Sequence, residues 1–153
     1  MRAALAALLV GGCVGGGPAR EALPAGDPIA FAARVQPVFD ARCADPTCHG
    51  LPDRPLSIFS PRRYRADPAR TLLDEPLTTD ETAANVRACA AFAFDAVTEG
   101  GTTDDCLILR KPLPVEQGGA RHGGGVIFQS DSAREWRVLR SWLGALSFDG
   151  APP

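Results

Sequence analysis

Apolar residues recur at helical spacing in a few stretches of the chain and are otherwise scattered among proline, glycine and arginine. Phe31, Val35, Val38 and Phe39 fall on one side of a helix. Asp27-Pro28 marks its start, an N-cap residue followed by proline at the first helical position. This helix should end close to Arg42. Pro37 lies inside it and predicts a bend or a restart, because proline has no N–H for the preceding turn. Thr78 and Glu81 have capping-box spacing and open a second helix over about Asp80 to Asp95, rich in alanine and carrying Val86, Cys89, Ala90 and Phe94. The clearest stripe is Trp136, Leu139, Leu143 and Leu146 with Trp142 beside it, preceded by Ser132 and Glu135 at the same capping-box spacing. Leu51 to Pro76 reads as a long wrapping loop with short helical turns. Cys106 to Leu109 is a short apolar segment, and Lys111-Pro112-Leu113-Pro114 leads into a glycine-rich loop holding His122. No strand-like alternation is sustained, so the predicted fold is mainly α with long Pro/Gly-rich loops.

Composition narrows this to one domain. At 153 residues, with 14 prolines and 16 glycines, the chain has room for one core and limited regular structure. Sixteen basic residues face 18 acidic ones, which leaves no nucleic-acid surface to propose. Lys111 is the only lysine.

The N-terminus reads as a targeting segment. Arg2 is followed by an apolar run, Ala3 to Val10, far shorter than the roughly 20 residues that span a bilayer. Val10-Gly11-Gly12-Cys13 is similar to the lipobox of bacterial lipoproteins. That resemblance implies a signal peptide over residues 1–12, lipid on Cys13, and export to the periplasm. Because Val14 is not aspartate, it points to the outer membrane. An ordinary signal peptide with an incidental cysteine is the alternative. Residues 13–26 then form a flexible tether, 27–148 the domain, and 149–153 a disordered tail.

Export shapes the reading of the five cysteines. With Cys13 lipidated, Cys43 and Cys48 form a local motif, while Cys89 and Cys106 remain to pair as a disulfide in an oxidising compartment or to stay as two buried thiols. The motif is Cys43-Ala44-Asp45-Pro46-Thr47-Cys48-His49-Gly50. Two thiols followed by an imidazole supply what covalent haem attachment needs, two thioether anchors and an axial iron ligand. The usual spacing places two residues between the cysteines. Here Ala44 to Thr47 intervene, and Asp45-Pro46 is a turn former that lets them bulge outward.

Phe31 to Gly50 together with Ser132 to Leu146 resembles a small monohaem cytochrome c domain with a long-spaced attachment site. The resemblance implies haem c on Cys43 and Cys48, His49 as proximal iron ligand, and a terminal helix packed on the first. Met1 is the only methionine, so His122 is the candidate distal ligand, giving a bis-histidine iron of lower potential than a methionine-ligated one. The function implied is electron transfer to redox protein partners in the cell envelope, by a carrier rather than an enzyme. Two alternatives stand beside it. One is a haem-free lipoprotein, stapled by disulfides, that serves as a binding or scaffold module. The other is a five-coordinate haem domain acting as a sensor or peroxidase. Zinc on Cys43, Cys48, His49 and His122 is disfavoured by the adjacency of Cys48 and His49.

Other signals are weaker. His122-Gly123-Gly124-Gly125 is similar to an esterase oxyanion loop, but no Gly-x-Ser-x-Gly elbow accompanies it. Arg62-Arg63-Tyr64-Arg65 reads as a solvated face balanced by Asp67, Asp74 and Glu75, with haem propionates or anionic lipid as the alternative partners. Trp136 and Trp142 read as core anchors, one of which should line a haem pocket.

Overall fold

A computed structural model describes residues 26–146 of the chain. The signal segment, Cys13, the tether as far as residue 25 and the C-terminal tail lie outside the described residues.

The first helix is built in three parts. The Asp27 carboxylate accepts from the backbone N–H of Ile29 at 2.8 Å and of Ala30 at 3.2 Å, capping α1 (Pro28–Ala30). A wider π-helical turn, Phe31–Val35, follows, and α2 (Gln36–Arg42) resumes with Pro37 in its first turn. Gln36 N–H reaches back to Phe31 O, one residue further than in an α-helix. Pro37 therefore restarts the helix at the place where its missing N–H is tolerated.

The capping box of Thr78 and Glu81 forms as expected at the head of α3 (Thr79–Thr98), which runs a few residues beyond Asp95. Glu81, Asn85, Val86, Cys89, Ala90 and Ala93 make its buried face. The short α4 (Leu107–Arg110) buries Ile108 and Leu109, and α5 (Arg134–Leu143) buries Trp136, Leu139, Trp142 and Leu143. Apart from one isolated bridge between Ser60 and Tyr64, the described residues contain no strand pairing. The fold is mainly α.

The terminal helix packs on the first. Phe31 meets Trp142 edge-on, with ring centres 5.0 Å apart, and Phe39 at 6.1 Å on its other side. Trp136 donates its indole N–H to Leu109 O at 3.0 Å, tying α5 to α4. Arg42 and Glu135 join the helix ends at 3.1 Å. That pairing corrects the expected start of the last helix. Glu135 is taken by Arg42 and Ser132 Oγ pairs with Ser130 Oγ, so no capping box forms and Ala133 is the N-cap, without a side-chain bond.

The loop after α2 is held by buried polar groups. The Asn85 side chain pairs with both backbone groups of Phe59, accepting from its N–H at 2.8 Å and donating to its carbonyl at 2.9 Å, and also donates to Gln36 Oε1. This anchors the loop between α2 and α3 with every partner satisfied. Arg65 corrects the expectation of a solvated arginine face. Its side chain is fully buried and bonded to both oxygens of the Glu81 carboxylate, at 3.0 and 2.9 Å. Arg62 does pair with Asp74 in solvent, and Arg63 donates to Asp40 O at 2.6 Å.

Cys89 and Cys106 are 1% and 0% exposed within the core. Both thiols are free, so the expected disulfide between them is not formed in this structure. Burial raises both pKa values, and each packs as a small hydrophobe in its neutral form.

Candidate functional site

The Cys43–His49 motif starts where α2 ends. Phe39 O accepts from the N–H groups of both Cys43 and Ala44 at 2.8 Å, closing the helix and turning the chain. The Asp45 carboxylate then accepts from Thr47 N–H at 2.9 Å and from its hydroxyl at 2.6 Å, and Asp45 O accepts from Cys48 and Gly50. Asp45, Pro46 and Thr47 are exposed, whereas Cys43, Cys48 and His49 are half-buried. Asp45, Pro46 and Thr47 thus bulge outward while Ala44 stays buried, and His49 N–H bonds back to Cys43 O at 3.1 Å across the bulge. Gly50 closes it at a place without room for a side chain. A Cβ there would lie 2.5 Å from Ala44 O. Gly50→Ala is therefore expected to destabilise the domain by about 1–3 kcal/mol, read as a lowered urea midpoint, because a backbone atom must give way.

His49 is oriented by the loop that follows. Its Nδ1 lies 2.7 Å from Leu56 O, and its own carbonyl accepts from Ile58 N–H at 2.9 Å. A carbonyl can only accept, so Nδ1 carries the proton and Nε2 the lone pair. Burial lowers the pKa of the ring against the opposing effect of that hydrogen bond, and the nearby His122 adds to the lowering. Burial thus favours the neutral imidazole.

The His122 loop is fastened to the segment after α4. Arg110 donates from Nε to Gly118 O at 3.1 Å, Arg110 O accepts from Ala120 N–H, and Pro112 O accepts from the N–H groups of Ile127 and Phe128 at 2.9 and 3.0 Å. His122 Nδ1 lies 3.0 Å from Gly125 O, in a turn that Gly125 permits with a φ of 74°. Its free nitrogen is again Nε2.

These two loops bring the only two histidines of the chain close together. The ring centres of His49 and His122 are 6.0 Å apart, with planes within 11° of each other. A separation of about 6 Å is that of imidazoles on opposite sides of one metal when both Nε2 atoms point at it along the line of centres, at about 2 Å per metal–nitrogen bond. In both histidines the other ring nitrogen donates to a backbone carbonyl, the arrangement that orients metal-bound imidazoles and raises their basicity.

The rings share a cavity of about 100 Å³ whose walls include Phe39, Leu56, Phe92, Ile108, Ile127 and Leu139. This space is smaller than a porphyrin, so a macrocycle there would have to extend beyond it; Pro55 and Leu107 of its lining are exposed. Cys43 lies on the wall; burial, then Cys48, push its thiol up to about 12. Cys48 stands outside the wall, 3.7 Å from Thr47 Oγ1, and both thiols are free. Neither tryptophan reaches the cavity. Leu139 is the residue of α5 that does, because Trp136 turns toward Leu109 O and Trp142 toward Phe31. The expectation of a tryptophan on the pocket wall is thereby corrected.

Sequence reasoning missed the two carbonyls that orient the histidines, and it missed Phe92 and Lys111 on the cavity wall. Only Lys111 carried a signal, as the one lysine among 16 basic residues. Among the described residues no three His, Cys, Asp or Glu side chains are grouped to hold a metal ion, and no helix is long and apolar enough to cross a membrane. No protein-family model, no curated protein and no solved structure matches the chain.

Proposed function

We propose that this chain is an electron-transfer protein carrying one covalently bound haem c, tethered by lipid on Cys13 to the bacterial envelope, with the outer membrane the favoured site. The observation that carries the reading is the near-parallel pair of imidazoles, 6.0 Å apart, each with Nδ1 tied to a carbonyl and Nε2 left for iron.

In this reading Cys43 and Cys48 hold the thioethers, His49 is the proximal ligand and His122 the distal one. Bound haem supplies the one-electron chemistry. The chain supplies the rest. Leu56 O and Gly125 O fix both rings, so neither must reorient when charge changes. Phe39, Leu139 and Ile108 exclude water and lower the local dielectric. Two imidazoles hold the potential below that of a histidine–methionine pair. The closeness of His122 to His49 supports a filled sixth position over an open sensor or peroxidase site. The partner is a second redox protein of the envelope, met through a small transient interface.

The test is direct. Protein exported from a host that matures cytochromes c should show a Soret band, a low-spin spectrum and haem that survives acid-acetone extraction. Colourless protein from that host would leave the haem-free binding or scaffold module in its place.

A further inference from the structure

Besides Cys43 and the two imidazoles, the cavity is lined by apolar residues and by Lys111. Lys111 is the only charged side chain on its wall. It is exposed, and among the described residues its ammonium group has neither an ion pair nor a hydrogen bond. Its backbone is fixed. Lys111 N–H bonds Leu107 O at 3.0 Å at the end of α4, and the next residue, Pro112, carries the carbonyl that pins Ile127 and Phe128. The side chain can thus lay its aliphatic stem along the apolar wall and hold its charge at the open edge. A cavity lined by two imidazoles and mostly apolar residues, with one exposed cation among them, suits a ligand that is apolar in the middle and anionic along one edge.

Haem has that shape, with two carboxylates on the edge away from the vinyl groups. We infer that Lys111 pairs with a carboxylate of the bound haem; the inference rests on the haem reading above. The arginines of the 62–65 run are otherwise engaged, Arg65 by Glu81, Arg62 by Asp74 and Arg63 by Asp40 O, and Arg121, exposed beside His122, is not on the cavity lining. Arg54 is exposed but donates to Thr47 O at 3.2 Å, on the bulge next to Cys48 and hence on the thioether edge.

The experiment uses haem-loaded protein and compares Lys111→Gln, Lys111→Arg and Arg54→Gln with the parent. The readout is midpoint potential as a function of pH. A cation beside a carboxylate lowers its pKa. Without Lys111 the carboxylate titrates at higher pH, so the fall of potential that accompanies its ionisation should move to higher pH. Lys111→Arg should restore the parent profile, and Arg54→Gln should leave the position of the fall unchanged. A loaded Lys111→Gln protein with the parent profile, or one that arginine does not restore, overturns the assignment while the haem reading stands. Parent protein that carries no covalent haem overturns both.

Discussion

Arg65→Met is expected to destabilise the folded domain by about 3–5 kcal/mol, measured by urea or thermal unfolding, because it leaves a carboxylate buried without its counter-charge. Glu81 is 2% exposed and is the hub of the loop before α3. One of its oxygens accepts from Arg65 Nε and Ala66 N–H, the other from Arg65 Nη2 and Thr78 N–H. Arg65 reaches on to the carbonyls of Glu75 and Pro76. Removing the guanidinium therefore strands a charge and two backbone acceptors together. Adding Glu81→Gln should recover part of the loss, since the amide is neutral and its oxygen still accepts from Ala66 or Thr78. If Arg65→Met alone stayed within about 1 kcal/mol of the parent, the buried pair would not be what holds this loop.

The same pair sets an acid limit. Burial pushes the Glu81 carboxyl up, but the hydrogen bonds from Arg65, Thr78 and Ala66 outweigh it and hold the pKa at about 2, against an ordinary value of 4.5. A depressed pKa stabilises the fold fully above the unfolded value and loses that contribution as pH falls through the folded one. Unfolding free energy should therefore decline between about pH 4.5 and 2, and Glu81→Gln should flatten that decline.

Glu81 also shows where sequence reading reaches its limit. Thr78 and Glu81 sit three residues apart, so their capping box is a local event and is legible from spacing. Arg65 lies 16 residues away in a run of arginines, and nothing local distinguishes it from exposed Arg62 or half-buried Arg63. Ser132 and Glu135 present the identical signature but lose it to a partner 93 residues distant, Arg42. The outward bulge of Asp45-Pro46 was legible because the Asp45 side chain bonds its own neighbour Thr47. The free state of Cys89 and Cys106 was not, since cysteine count limits pairing without deciding it. For the candidate site, elimination of methionine named His122. Its orientation depends on the fastening of its loop to Arg110 and Pro112, which is tertiary.

His122→Ala in haem-loaded protein is expected to abolish the low-spin spectrum while leaving the haem covalently attached. In the proposed reading the two effects separate because attachment would rest on Cys43 and Cys48, while the His122 loop, although alanine removes the Nδ1 contact to Gly125 O, keeps its bonds to Arg110 and Pro112. An unchanged low-spin spectrum would exclude His122 as a ligand and, with no methionine beyond Met1, would require a donor other than histidine or methionine. His122→Met asks a finer question. A thioether favours the reduced state relative to imidazole, so a low-spin methionine variant should have a higher midpoint potential than the parent. Methionine also lacks the ring nitrogen that donates to Gly125 O, so the loop loses its orienting bond and the variant should contain a high-spin fraction. Potential and spin state would thus report separately on the two things His122 does, binding from Nε2 and being held from Nδ1.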